Sequence, residues 1–87
     1  MRFRNQVVIV TGAASGLGRA AALAFARNGA SVGCVDINRS GAEQTRMDIV
    51  SAGGRASVAP ADVSDSAQVR QATRLVYAQL GSIDILV

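Results

Sequence analysis

The chain contains no lysine and no histidine, only one cysteine and one proline, and only 3% aromatic residues. Each shortage removes a class of chemistry. Without histidine there is no imidazole to serve as a proton acceptor near neutral pH. The single cysteine, Cys34, supports no disulfide framework and lies inside an apolar stretch, which fits a small core residue in a reducing compartment. Sparse aromatics leave few platforms for stacking unpaired bases. The nine basic residues are all arginines, scattered along the chain, so the net charge of +3 is not the clustered footprint of a nucleic-acid binder. Met1-Arg2-Phe3-Arg4 has the charge of a signal-peptide start, but the apolar run after it is short and breaks at Thr11-Gly12. From these shortages the expectation is a cytoplasmic chain with no membrane or nucleic-acid partner and no metal site.

What the chain does have is aliphatic residues and glycine. Hydrophobic residues make up 49% and charged residues 17% of the 87, enough apolar content for one small globular domain with a core of Val, Ile, Leu and Ala. Four short runs are rich in β-branched residues: Val7 to Val10, Ser31 to Asp36, Ala56 to Ala59 and Ile83 to Val87. Most show little polar alternation, as strands covered on both faces do. Three helix-like stretches lie between them, near Leu17 to Asn28, Ser40 to Ala52 and Ser66 to Leu80. The first carries Leu17, Ala20, Ala21, Ala24 and Phe25 at helical spacing. The second places Ala42, Thr45, Met47, Ile49 and Val50 in a looser pattern, and the third sets Val69, Ala72, Val76 and Leu80 on one face. Gly29, Gly53 and Gly81 follow the three stretches as stop signals. Alternation of this kind predicts an α/β fold, a Rossmann-like, doubly wound parallel sheet of about four strands and three helices, with right-handed crossovers and strand order 3-2-1-4.

Between the first strand and the first helix stands Thr11-Gly-Ala-Ala-Ser-Gly-Leu-Gly18. A glycine-rich loop there directs the free amides of a helix start at a common point, an anion site. Gly12 permits the turn, Gly16 lets the backbone approach a pyrophosphate, and Gly18 allows close packing of the helix; Thr11 and Ser15 add hydroxyls for the phosphate or for the loop itself. Asp36 ends the second strand 18 residues after Gly18, where a dinucleotide fold uses an acid on the adenosine ribose. Its plainer alternative is a turn aspartate. An acid there repels the additional phosphate of NADP and favours NAD. Arg39 is placed either to soften that preference or as a solvated first-turn arginine.

Together these residues resemble the short-chain dehydrogenase/reductase family. The resemblance rests on the TGxxxGxG spacing from Thr11, on Val35-Asp36, on Asp62-Val63 after the third strand, and on Ile83-Asp84-Ile85-Leu86-Val87. It spans the whole chain and implies a dinucleotide site in which Gly12, Ser15, Gly16, Leu17 and Gly18 face the pyrophosphate. It further implies that Asp36 holds the ribose and Asp62 with Val63 the adenine. Asp62 has an alternative role in helix capping or turn chemistry beside Ser64 and Asp65. Ala14, where NADP-using members often carry a basic residue, again implies NAD over NADP, and Asp84 resembles a structural residue with no ligand.

The resemblance also implies hydride transfer between NAD and an alcohol or ketone, with a tyrosine, a lysine and a serine handling the substrate hydroxyl. The chain offers no such set. Its one tyrosine, Tyr77, precedes the fourth strand and has Gly81 four residues later, where the family pattern wants lysine. No catalytic residue is therefore assigned, and no turnover is expected of these residues alone. Residues 1–87 are expected to be the N-terminal portion of a Rossmann NAD(P)-binding domain, shortened before its catalytic segment, with strand four on an open edge able to pair with another chain, and a homo-oligomer is possible for the complete enzyme. The alternatives are a naturally short, non-catalytic nucleotide-binding or interaction protein and, less in keeping with the loop spacing, a methyltransferase using another adenosine cofactor.

Overall fold

The structure is a computed structural model that describes residues 2–87. Seven elements alternate: β1 (Val7–Thr11), α1 (Gly16–Arg27), β2 (Ser31–Asp36), α2 (Arg39–Ser51), β3 (Arg55–Pro60), α3 (Ser66–Leu80) and β4 (Ile85–Leu86). All neighbouring strands pair in parallel, in the order β3-β2-β1-β4 anticipated above. The register sets Val7 beside Ser31 and Ser31 beside Arg55, so the first three strands run level and end together near Thr11, Asp36 and Pro60. That common carboxyl end is where the sequence places its candidate ligand residues.

Side chains alternate across the sheet and build a core on each face. On one face Val8, Val10, Val32 and Cys34 pack with Ala22 of α1 and with Ala42 and Ile49 of α2. On the other, Val7, Ile9, Val35 and Ala59 pack with Ala72, Val76 and Leu80 of α3. Fully burying an aliphatic side chain of this size contributes about 1.5–3 kcal/mol relative to exposure, so the two layers dominate the stability of the chain. Gly33 sits where α3 crosses the sheet, and a Cβ there would lie 2.7 Å from the Val76 side chain, so its absence sets how closely the helix approaches. Burial pushes the Cys34 thiol up to about 11, in keeping with a packing residue.

The helix ends follow local chemistry. Asn38 accepts a hydrogen bond from the Gly41 amide at the start of α2, and Asp65 accepts from the Ala67 and Gln68 amides at the start of α3. Gly81 closes α3 in the left-handed conformation, at φ 91°. At the opposite end of the sheet Phe3 stacks edge-to-face on Phe25, 5.1 Å between ring centres, and ties the N-terminal segment to α1.

Several expectations require correction. Strand four is reduced from Ile83 to Val87 to the pair Ile85–Leu86. At Asp84 the backbone amide already donates to the Val7 carbonyl at 2.9 Å while the carboxylate, not the next backbone carbonyl, accepts the Val7 amide, and Ile83 packs in the α3-side core. The inward face of α1 is also rotated: Ala22 is its fully buried residue, whereas Leu17 and Ala20 are exposed. On α2, Met47 and Val50 are exposed and the inward stripe is Ala42, Thr45 and Ile49, spaced by three and four. No helix among the described residues is long and apolar enough to cross a membrane.

Candidate functional site

The loop from Thr11 to Gly18 leaves β1 in an extended conformation and must turn into α1 within a few residues. Gly12 and Gly16 make the turn at φ 68° and 59°, a region that side chains disfavour. A Cβ on either would meet no atom within 4 Å, so the space before the loop is open. Gly18 has the opposite surroundings. A Cβ there would lie 1.9 Å from the Gly12 carbonyl oxygen and 3.1 Å from that of Thr11, so the first turn of α1 rests directly on the loop backbone. The close approach expected of Gly18 is real, but its partner is the loop itself.

Helix α1 begins without a side-chain cap. Ser15 occupies the capping position, yet its hydroxyl takes no hydrogen bond from the helix amides, and the first turn carries no acidic residue. The amides and the positive end of the helix dipole therefore face the open space before the loop. Leu17 projects from the same turn and is 89% exposed. Thr11 does not contribute a free hydroxyl: its Oγ1 donates to the Val87 carbonyl at 2.9 Å and ties β1 to the segment after β4.

Asp36 reaches back across the end of the sheet. One carboxylate oxygen accepts the Ala14 amide at 3.0 Å, and the other accepts the Asn38 amide at 2.9 Å. An ionised carboxylate has about four acceptor positions, so two remain for an incoming hydroxyl pair. Asp36 is thus both a loop clamp and an available acceptor, a combination its place in the sequence did not announce.

Gly12, Asp36, Ile37, Ala61, Asp62 and Val63 line a pocket of about 120 Å³ at this end of the sheet. It joins the ends of β1, β2 and β3 and contains four of the eight cofactor positions inferred from the sequence. Asp62 is engaged on one side only: its Oδ1 accepts the Ser64 amide at 2.9 Å and the Ser64 hydroxyl at 2.6 Å. Those two bonds hold its carboxyl below the usual aspartate range. The helix-capping alternative for Asp62 does not hold, because Asp65 caps α3, while the turn chemistry does. Val63 and Ile37 are exposed apolar residues that flank the pocket. Ile37 was missed by sequence reasoning; its signal was an apolar residue standing directly after the strand-end acid among polar neighbours. Arg39 does not line this pocket but faces depressions beside β3. Asp84 is structural, its Oδ2 accepting the Val7 amide at 2.8 Å, and Tyr77 is an exposed residue of α3.

The short chain dehydrogenase model matches residues 6–87. The chain belongs to that family. Among its short-chain dehydrogenase relatives, it is 43% identical over 86 residues to D-threitol dehydrogenase of Mycolicibacterium smegmatis, covering 99% of this chain and 33% of that protein. It is 38% identical over 83 residues to 2,3-dihydro-2,3-dihydroxybenzoate dehydrogenase of Bacillus subtilis, covering 95% of this chain and 32% of the relative. A solved 7α-hydroxysteroid dehydrogenase in complex with NADH and 7-oxoglycochenodeoxycholic acid superposes with a TM-score of 0.95 at 33% identity, over 98% of this chain and 33% of the other. The 87 residues span about a third of the length of these short-chain dehydrogenases.

Proposed function

We propose that residues 1–87 form the N-terminal, adenosine- and diphosphate-binding portion of a Rossmann domain in an oxidoreductase that takes an alcohol or ketone as substrate and NAD as cofactor. The observation that carries this is the convergence of an uncapped helix start and the pocket that joins Gly12, Asp36, Asp62 and Val63. Gly12, Ser15, Gly16, Leu17 and Gly18 would face the diphosphate, where helix amides and open backbone suit an anion. Asp36 would accept the adenosine ribose hydroxyls with its remaining lone pairs, and Asp62 and Val63 would border the base, with Ile37 on the far side. When bound, the nicotinamide ring of such a cofactor supplies a hydride donor or acceptor. The proton-handling tyrosine and lysine of the family pattern have no counterpart among these residues, so their part is binding and orientation.

Preference for NAD over NADP is supported by charge. The Asp36 carboxylate stands at the pocket, Ala14 is neutral, and Arg39 points to the β3 side. A second phosphate on the ribose would meet a carboxylate with no cation lining the pocket. Titration calorimetry with NAD and NADP tests the assignment. The expected result is NAD binding at least about tenfold tighter, a gap of about 1.4 kcal/mol, and an Asp36→Ala variant in which the gap narrows and NAD weakens. A folded sample that binds neither dinucleotide would reject the site, and equal affinities would reject the NAD preference alone.

A further inference from the structure

One peptide plane of the glycine loop is held at both ends by side chains from elsewhere in the fold. The plane joins Ala13 to Ala14. Its N–H, on Ala14, donates to Asp36 Oδ2 at 3.0 Å, and its carbonyl, on Ala13, accepts the Thr45 hydroxyl at 2.8 Å. Thr45 lies on α2 and is fully buried, and Ala13 is fully buried as well. The Thr45 oxygen in turn accepts from Arg19 Nη1 of α1 at 3.1 Å. Arg19 pairs through its other terminal nitrogen with Asp48, which Gln44 Nε2 also holds at 3.0 Å.

A threonine hydroxyl has one proton. In a helix its usual local acceptor is the carbonyl four residues earlier, and the Gly41 carbonyl stands 3.2 Å away. The shorter bond goes to the loop. Arg19 occupies a lone pair of the oxygen and leaves the proton for a carbonyl, while Asp48 and Gln44 keep Arg19 in place. Because the peptide unit is rigid, gripping its carbonyl and its N–H fixes the direction in which the chain leaves Ala14 toward Ser15 and Gly16. The amides at the start of α1 inherit that direction.

We propose that Thr45, with Arg19 and Asp48 behind it, is a positioning residue that sets the diphosphate-facing amides of the loop from helix α2. This rests on the dinucleotide site proposed above. The hydroxyl touches no ligand; it acts through the Ala13 carbonyl. A change at Thr45 therefore alters recognition of the diphosphate far more than that of the nucleoside, because Asp62 and Val63 belong to another segment and Asp36, although it shares the gripped peptide, keeps its second anchor on the Asn38 amide.

The test compares ADP and adenosine as probes, titrated into the protein and followed by NMR. Thr45→Val keeps the side-chain shape and removes the hydroxyl; Thr45→Ser keeps the hydroxyl. Thr45→Val is expected to weaken ADP about tenfold, equivalent to about 1.4 kcal/mol, with adenosine unchanged within about twofold, and Thr45→Ser is expected to bind ADP like the parent chain. Equal ADP affinity in Thr45→Val and the parent would overturn the inference, as would parallel loss of ADP and adenosine without rescue by serine, which is the mark of a general packing role. If Thr45→Val does not fold, the half-exposed Asp48→Asn decides: a selective ADP loss of about threefold supports the brace, and none rejects it. A parent chain that binds neither probe would reject the dinucleotide site, and the inference with it, a result distinct from normal binding by every variant.

Discussion

The three helices begin in different ways. At α2 the Asn38 side chain takes the Gly41 amide at 3.0 Å, and at α3 the Asp65 side chain takes the Ala67 amide at 3.0 Å. At α1, Ser15 stands in the same position with a hydroxyl that could do likewise and does not. Loss of a cap costs about 0.5–2 kcal/mol, so an uncapped start is a measurable sacrifice of local stability. The two capped helices begin beside short turns whose side chains close on the amides. The uncapped one begins at a positive-φ glycine, Gly16, that follows another at Gly12, with open space in front. The difference separates helix starts that serve the fold from one whose amides are left for a ligand.

The comparison breaks most severely at Gly18. Replacement by valine puts a Cβ 1.9 Å from the Gly12 carbonyl oxygen, a backbone atom that cannot yield without moving the loop. The expected loss is about 3 kcal/mol or more, read as a collapse of the urea midpoint; a Gly18→Val protein of parental stability would show that α1 does not rest on the loop. Next come the caps. Asp65→Ala and Asn38→Ala should each cost about 1 kcal/mol in chemical denaturation, whereas Ser15→Ala should change ligand-free stability by less than about 0.5 kcal/mol. Should Ser15→Ala cost as much as Asp65→Ala, the distinction between the helix starts is gone.

Acid gives a smaller effect. Hydrogen bonds from Arg19 and Gln44 hold the Asp48 carboxyl below its ordinary value, and those from Ser64 do the same for Asp62. In the unfolded chain both return to about pH 4. Between the two values the unfolded state binds more protons, so the stabilisation is complete above about pH 4 and is lost as pH falls through the lower folded values. Urea midpoints measured from pH 6 to pH 3 should therefore decline less in Asp48→Asn than in the parent. Equal slopes would mean that the tie between α1 and α2 contributes nothing. Smallest is the change expected at Cys34, whose buried thiol at about 11 should be alkylated at pH 8 only when the chain opens. That rate should be the same in Ser15→Ala and the parent, and a faster rate in the variant would show that Ser15 supports the fold after all.

Much of the scaffold was legible because it is written in local pattern. The limits of β2 and α3 are those read from the β-branched run Ser31 to Asp36 and from the stretch Ser66 to Leu80. The positive φ of Gly29, Gly53 and Gly81 follows from their place after each helix. Edges and faces were less legible. Strand four is only Ile85–Leu86, and at its start the Asp84 side chain takes the Val7 amide, a contact across 77 residues that hydropathy does not announce. Met47 and Val50 look inward by hydropathy, but the face of α2 is chosen by what the sheet offers Ala42, Thr45 and Ile49. Within the candidate site, the glycines and both acids could be named from spacing, while the faint signal of Ile37, an apolar residue after the strand-end acid, gained a meaning only where β2 ends beside Ala61 and Val63.

By itself the sequence determined the alternation of strand and helix, the parallel sheet, the glycine turn and the acid at the end of the second strand, because each depends on hydropathy period and backbone freedom within a few residues. Only the tertiary structure decided that the Asp36 carboxylate clamps the loop it faces, that the Thr11 hydroxyl is spent on Val87, that Ser15 leaves its helix uncapped, and that Thr45 holds the Ala13 carbonyl. The reason is physical: a hydroxyl or carboxylate near a turn has several acceptors or donors within reach, and which one it meets is set by the packing of elements distant in the chain.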